Sequence, residues 1–251
     1  MSDFTQTKTT SAAAQPSSRN ENPHFGSAAN VVPAPRIDLG ASQPAQIFGR
    51  MSATECKRRL LHILPGLLPT ILWFIPHKDP LSWDCRAWLA LIIGGIGIAT
   101  TVKYRRIARG NETSNPACIL GYTVPVFLLL MAIPAHAQLG LATLAIISFG
   151  DGFATVGGLL LPGPRLPWNK QKSWAGFLCF LTFAVPWSAM VYWGESRPAV
   201  SFSMALFVGG TATLFAAICE SIKSGIDDNI RVGAAAAAGI VTAHFAAAAW
   251  L

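Results

Sequence analysis

From about residue 60 onward the chain reads as long apolar blocks separated by short polar breaks. Blocks of ~20 residues with few charges are long enough to cross a bilayer as helices. Seven such helices are expected, at roughly 60–76, 87–102, 117–134, 138–157, 174–193, 199–218 and 231–250. The expected fold class is therefore all-α: a polytopic membrane helical bundle. The first block carries Pro65, Gly66 and Pro69, which predicts a kinked or partly re-entrant segment. The last holds ten alanines among residues 230–251. Poly-alanine is weakly hydrophobic, so that helix is expected to pack tightly against its neighbours rather than face lipid.

Residues 1–52 lack this pattern. They are rich in Ser, Ala, Pro, Asn and Gln and are read as a disordered cytoplasmic tail before an integral membrane catalytic domain, 53–251. The tail has no apolar signal-peptide core, so nothing in it suggests cleavage.

Composition agrees with a membrane protein. The 251 residues are 52% hydrophobic and 12% charged, against about 25% charged in soluble domains. A net charge of +7 would raise the question of nucleic acid in a soluble protein. Here it is better read as cytoplasmic loops holding Lys and Arg. Lys103, Arg105, Arg106, Arg109, Arg165, Lys170, Lys172, Lys223 and Arg231 fall in loops on one side. Lys78, Arg86 and Arg197 fall on the other. Lys57, Arg58 and Arg59 join the majority, which places the amino terminus in the cytoplasm and, with seven helices, the carboxyl terminus outside. The expected location is a cell inner or plasma membrane, with the active site on the cytoplasmic side. The cysteines (Cys56, Cys85, Cys118, Cys179, Cys219) are scattered, with neither a disulfide framework nor a zinc pattern.

Against this background three clusters stand out. The first is ISFGDGFATVGG, where Asp151 lies ~20 Å along a helix that is otherwise apolar. A charge at that depth costs several kcal/mol, so a partner or a metal is expected. A loop outside the membrane is the plainer alternative. The second is LPGPRLPWNKQKSWAG, in which Lys172 and Ser173 precede Gly176 at a helix start. Backbone N–H groups beside a lysine suit phosphate oxygens, although GxxxxGK[ST] is absent. A topology-setting basic loop is the plainer alternative here. The third is ICESIKSGIDDNIRVG, with Glu220 ending one helix and Asp227, Asp228 and Asn229 opening the next. Helix capping explains one of these residues, not all four. Several carboxylates with an amide oxygen are what Mg²⁺ asks of a protein, phosphates completing the shell. All three clusters fall at cytoplasmic ends under one topology, and together they form the equipment of phosphoryl transfer.

GDGFATVGG, NKQKSWAG and ESIKSGIDDN, in that order, resemble the CTP-dependent lipid-alcohol kinases: dolichol, phytol and CTP-dependent diacylglycerol kinases, distantly akin to phosphatidate cytidylyltransferases. An early RRLLHILPG (Arg59, His62, Gly66) is similar to that family's opening, and the likeness spans about residues 57–250. The resemblance implies transfer of the γ-phosphoryl of CTP to a long-chain isoprenoid alcohol or diacylglycerol, with Mg²⁺ or another divalent metal. Carried over, Asp151, Lys172 and Asp228 would be catalytic. Gly150, Gly152, Asn169, Lys170, Ser173 and Gly176 would hold the nucleotide. Asp151, Glu220, Asp227, Asp228 and Asn229 would hold the metal. One departure lies in KYRRIARGNETSNP, which keeps Arg109 and Gly110 without the glutamate expected before them.

Other residues have plainer readings. His62 is expected to be interfacial and His244 packed and hydrogen-bonded. The tryptophans form an aromatic belt, with stacking of Trp168 or Trp174 on a nucleobase as the sharper alternative. Two rival functions remain open: a CDP-lipid synthase, and a transporter using Asp151 as its ion site. The expected partners are a lipid alcohol, a nucleotide and membrane lipid, without nucleic acid; nothing in the pattern sets an oligomeric state.

Overall fold

The structure, a computed structural model, describes residues 53–75, 78, 80–107 and 117–249. The expected disordered tail, the loop holding Arg109 and Gly110, and Trp250 lie outside the described residues. Within them all extended regular structure is helical; one isolated antiparallel bridge joins Arg165 to Ser173.

The segment expected as one helix over 60–76 is in pieces. Helix α1 (Ala53–Ile63) gives way to a 3₁₀ turn (Leu64–Leu67) and then to a short α2 (Leu68–Leu72). Pro65 and Pro69 sit in the first turns of the second and third pieces, where a missing N–H costs least. Then come α3 (Trp83–Ile107) and α4 (Ala117–Ala132). Next, α5 (Ala137–Ala145) passes through a π-helical turn (Ile146–Asp151) into α6 (Gly152–Leu160) without a break. The bundle closes with α7 (Trp174–Glu195), α8 (Phe202–Ser221) and α9 (Asp228–Ala248).

Among the described residues, four helices are long and apolar enough to cross a membrane: Ala137–Leu160, Trp174–Glu195, Phe202–Ser221 and Asp228–Ala248. They match the last four expected spans within a few residues. The first expected span is too broken to qualify, and α4 is apolar but shorter.

The segment from α5 to α6 is the centre of the molecule. Every residue of α5 is buried, and so are Ile146, Ile147, Ser148, Gly150 and Asp151 of the π turn. Helices α4, α7 and α9 pack around it. Small residues permit the close crossings, as expected for helices that meet in lipid. At Gly209 an added Cβ would lie 2.9 Å from the Ala189 backbone nitrogen. At Gly239 it would lie 3.2 Å from the Ala212 Cα. The alanine-rich α9 is thus drawn against α8, as its composition predicted. His244 sits buried with its Nδ1 2.6 Å from the Tyr192 hydroxyl.

The crossing of α4 with α9 matters most for the site. A side chain at Gly121 would overlap the backbone of Asn229 and Ile230, and one at Gly233 would overlap the Gly121 carbonyl. Two glycines let the two backbones touch, which fixes the start of α9 against α4. A valine at position 233 is expected to destabilise the fold by about 1–3 kcal/mol, read as a lower melting temperature in detergent. A melting temperature unchanged by that substitution would contradict the crossing.

Candidate functional site

Asp151 is the last residue of the π turn and is 8% exposed. A π turn inserts one extra residue into the helical ladder and often marks a functional position. Its carboxylate has a partner. His62 Nε2 lies 2.8 Å from Asp151 Oδ2, a contact that the sequence position of His62 did not suggest. Three features bring the pair together. Gly152 leaves room for Ile63 and His62 against the π turn. The Tyr122 hydroxyl donates to the His62 carbonyl at 2.8 Å, and the two rings meet edge to face at 4.7 Å. Arg59, held by Glu55 at 2.8 Å one turn earlier in α1, adds positive charge near Asp151.

This pair stands at the polar end of a cleft. Arg58, Arg59, His62, Asp151 and Asn229 line that end, and the walls are apolar side chains of α3, α4 and α5. Asn229 contributes a buried Oδ1 that has no hydrogen-bond partner.

A second, more polar pocket starts one turn further along α6, at Thr155 and Gly158, and is bounded by Arg165, Lys172, Ser173 and Glu220. Thr155 and Gly158 follow Asp151 by four and seven positions, on one helix face. Lys172 is the hub. Its Nζ contacts Glu220 Oε1 and lies 2.8 Å from Asp228 Oδ2. Burial opposes charge on Lys172, but Glu220 and Asp228 outweigh it and hold the ammonium above the usual lysine value. Arg231 braces the same corner, 2.7 Å from Asp228 Oδ1 and donating to the carbonyls of Ile222 and Glu220. Asp151 and Lys172 act on each other electrostatically, as do Asp151 and Glu220, so the cleft and the pocket share one field.

The other expected residues fall as follows. Asn169 is buried; its Nδ2 donates to the Ser221 carbonyl at 3.0 Å and its Oδ1 accepts from the Gln171 N–H. It ties the basic loop to the end of α8, helped by Trp168 Nε1 donating to Ser221 Oγ. Ser173 caps α7 by accepting from the Gly176 N–H. Asp227 caps α9 by accepting from the Asn229 N–H. Lys170 is exposed. Gly150 gives room to the Phe180 ring, and Gly176 lets α7 approach the Ala154 carbonyl. The acids expected to share a metal are thus divided among three local settings. Among the described residues no three His, Cys, Asp or Glu side chains gather closely enough to hold a metal ion. Sequence reasoning missed Tyr122 and the bracing role of Arg231; the latter's spacing of three from Asp228 was the available signal.

Comparison with known proteins gives the relationship. The chain is 27% identical over 195 residues to the probable phytol kinase 1, chloroplastic, of Glycine max, and 27% over 188 residues to phytol kinase 1, chloroplastic, of Arabidopsis thaliana. Each match covers 70% of this chain and 62% of the relative. It is 30% identical over 226 residues to the probable phytol kinase, chloroplastic, of Triticum aestivum, covering 82% of this chain and 73% of that protein. The chain belongs to the phytol kinase family. It spans 62% of the length of the first two of these phytol kinases. No family model and no solved structure matches it.

Proposed function

We propose that this protein is a membrane lipid-alcohol kinase that transfers the γ-phosphoryl group of CTP to a long-chain isoprenoid alcohol. The observation that carries this reading is the buried Asp151–His62 pair at the polar end of an apolar cleft, one helical turn from a lysine-bearing pocket. An alcohol with a long hydrocarbon tail needs such a cleft, and its hydroxyl needs a base at the cleft's end. Phosphates need cations, and the adjoining pocket offers Arg165 and Lys172. The names of the relatives support the alcohol as acceptor; CTP as donor comes from the family resemblance.

The chemistry is then a single displacement. The alcohol oxygen attacks the γ-phosphorus, and the bond from that phosphorus to the β–γ bridging oxygen breaks. The electron pair leaves with CDP, and the hydroxyl proton passes to Asp151. His62 holds the Asp151 carboxylate in place, and Lys172 stabilises the phosphate oxygens as charge shifts onto them. A divalent ion fits the acceptors at hand: Asp151 and the unpartnered Oδ1 of Asn229 line the same cleft, and Mg²⁺ asks for only one or two protein ligands besides phosphates. When bound, such an ion neutralises phosphate charge. Glu220 and Asp228 are engaged by Lys172 and balance its charge. We place the activity on the cytoplasmic side of a cell inner or plasma membrane, in a bundle of about seven spans.

The test is transfer of label from [γ-³²P]CTP to phytol, farnesol, polyprenol and diacylglycerol by purified protein in detergent with Mg²⁺. Labelled lipid phosphate and CDP are the expected products. Release of pyrophosphate with formation of a CDP-lipid, or no labelled lipid at all, would overturn the reading.

A further inference from the structure

Helix α1 brings two cations to the polar end of the cleft, Arg58 and Arg59, and the displacement described above uses neither. Glu55, Arg59 and His62 follow one another at spacings of four and three, so they share one face of α1. His62 ends that row on Asp151, at 2.8 Å. Arg59 stands one turn earlier, about 4.5 Å along the helix axis. It is not a solvated surface charge: its side chain is 16% exposed and that of Glu55 11%. Arg59 Nε donates to Glu55 Oε1 at 2.9 Å, and Nη2 lies 2.8 Å from the same oxygen. A guanidinium carries five N–H groups in a rigid fork. One carboxylate oxygen on the Nε edge sets the plane of that fork and leaves it N–H groups for a second anion.

The charges decide where such an anion belongs. At the corner of the neighbouring pocket, Lys172 and Arg231 bring two positive charges and Glu220 and Asp228 two negative ones, joined by direct contacts. That corner is neutral as a unit. On α1, Arg58 and Arg59 stand against Glu55, and one positive charge is in excess at the cleft. The transferred phosphoryl group ends on the alcohol oxygen at this end of the cleft, as a monoester with about 1.5 to 2 negative charges at neutral pH. On its way it meets the Asp151 carboxylate, and each cation in reach lowers that repulsion. Arg59 already acts electrostatically on Asp151.

We propose that Arg59, held by Glu55, is a catalytic cation of the acceptor side: it stabilises the phosphoryl group in transit and then holds the lipid phosphate at the polar end of the cleft. The inference rests on the lipid-alcohol kinase reading above. Arg59 exchanges no proton and no electron pair; the displacement keeps the balance already given. The two products thus have separate cations, Lys172 for CDP and Arg59 for the phosphate monoester.

The test measures binding of each product by calorimetry in detergent with Mg²⁺, using dodecyl phosphate as the monoester and CDP as the nucleotide. Hydrogen bonds to charged groups correspond to roughly 10–100-fold in affinity. Arg59→Gln is expected to weaken dodecyl phosphate by that factor and to change CDP affinity by less than about 2-fold, as for independent sites. In the label-transfer assay kcat should fall by about 10²-fold. Arg59→Lys, which keeps the charge without the fork, should lie between Arg59→Gln and the wild type. The double variant Glu55→Gln/Arg59→Gln removes the carboxylate that Arg59→Gln deprives of its partner, and it should show the same split between the two ligands. Weakened binding of both ligands together would mark a structural role and overturn the proposal. So would dodecyl phosphate affinity unchanged by Arg59→Gln, or none in the wild type. Wild-type protein that held dodecyl phosphate through Arg59 but bound no CDP would instead sink the kinase reading and leave the phosphate site standing.

Discussion

Asp151→Asn is expected to lower kcat for alcohol phosphorylation by about 10³-fold, within the ~10²–10⁴ range of general-base contributions. The amide has nearly the shape of the carboxylate, so the π turn and the cleft persist. What it lacks is a site for the hydroxyl proton and a negative charge to hold His62, whose Nε2 lies 2.8 Å away. Stability should not fall with activity, because a buried carboxylate in a membrane helix is costly and a neutral amide less so. The measurement pairs single-turnover rates with melting curves in detergent. His62→Gln should reduce the rate by a smaller factor, since His62 acts through Asp151. An Asp151→Asn protein retaining more than about a tenth of the wild-type rate would remove Asp151 from the mechanism, whatever its fold.

The prominence of Asp151 was legible in the sequence, because a lone acid in an apolar run has to be explained. Its partner was not. His62 is separated from it by the four helices α2 to α5, and nothing in RRLLHILPG distinguishes a histidine that points inward from one that lies at the interface. The contact exists because Gly152 admits α1 and because Tyr122 takes hold of the His62 carbonyl, both of which are tertiary facts. The π turn was hidden for a related reason. Ile146 to Asp151 lies inside a longer apolar run, and nothing in its composition marks out a wider ladder. The four long helices were readable because length and apolarity alone define them. The break in the first span was legible from Pro65, Gly66 and Pro69, but its division into three pieces was not, because proline tells of a break without saying how many pieces follow. The run Asp227-Asp228-Asn229 shows the limit most clearly. Three adjacent polar residues take three different tasks: a helix cap, a bridge to Lys172 and Arg231, and a buried amide facing the cleft. Helical geometry turns each by about 100° from the last, so neighbours in sequence meet different surroundings.

The second large effect is expected at Lys172, where the loss should be divisible into a stability part and a catalytic part. Lys172→Met leaves Glu220, whose side chain is 5% exposed, as a buried charge without its cation. Breaking one partner of such a pair costs about 3–5 kcal/mol, which lowers the melting temperature by roughly 6–20 °C in a chain of this size. The bridge to Asp228 adds little to that figure, since the Asp228 side chain is 45% exposed and well solvated. Adding Glu220→Gln removes the stranded charge, so the double variant should regain most of the stability. It should not regain activity, because the buried ammonium that meets the phosphates is gone and the exposed Arg165 is left to line that pocket. A double variant that recovered both would mean that Lys172 serves only to neutralise Glu220. The pH dependence supplies an independent check. Lys172 is held above its ordinary value of 10.5, so the stability from its bridges is complete below that value and is lost only as pH rises through the higher folded-state value. The melting-temperature gap between wild type and Lys172→Met should therefore stay constant from about pH 7 to about pH 9. A gap that closed within that window would show burial prevailing over Glu220 and Asp228, and the ammonium would then be too weakly held to serve a phosphate at neutral pH.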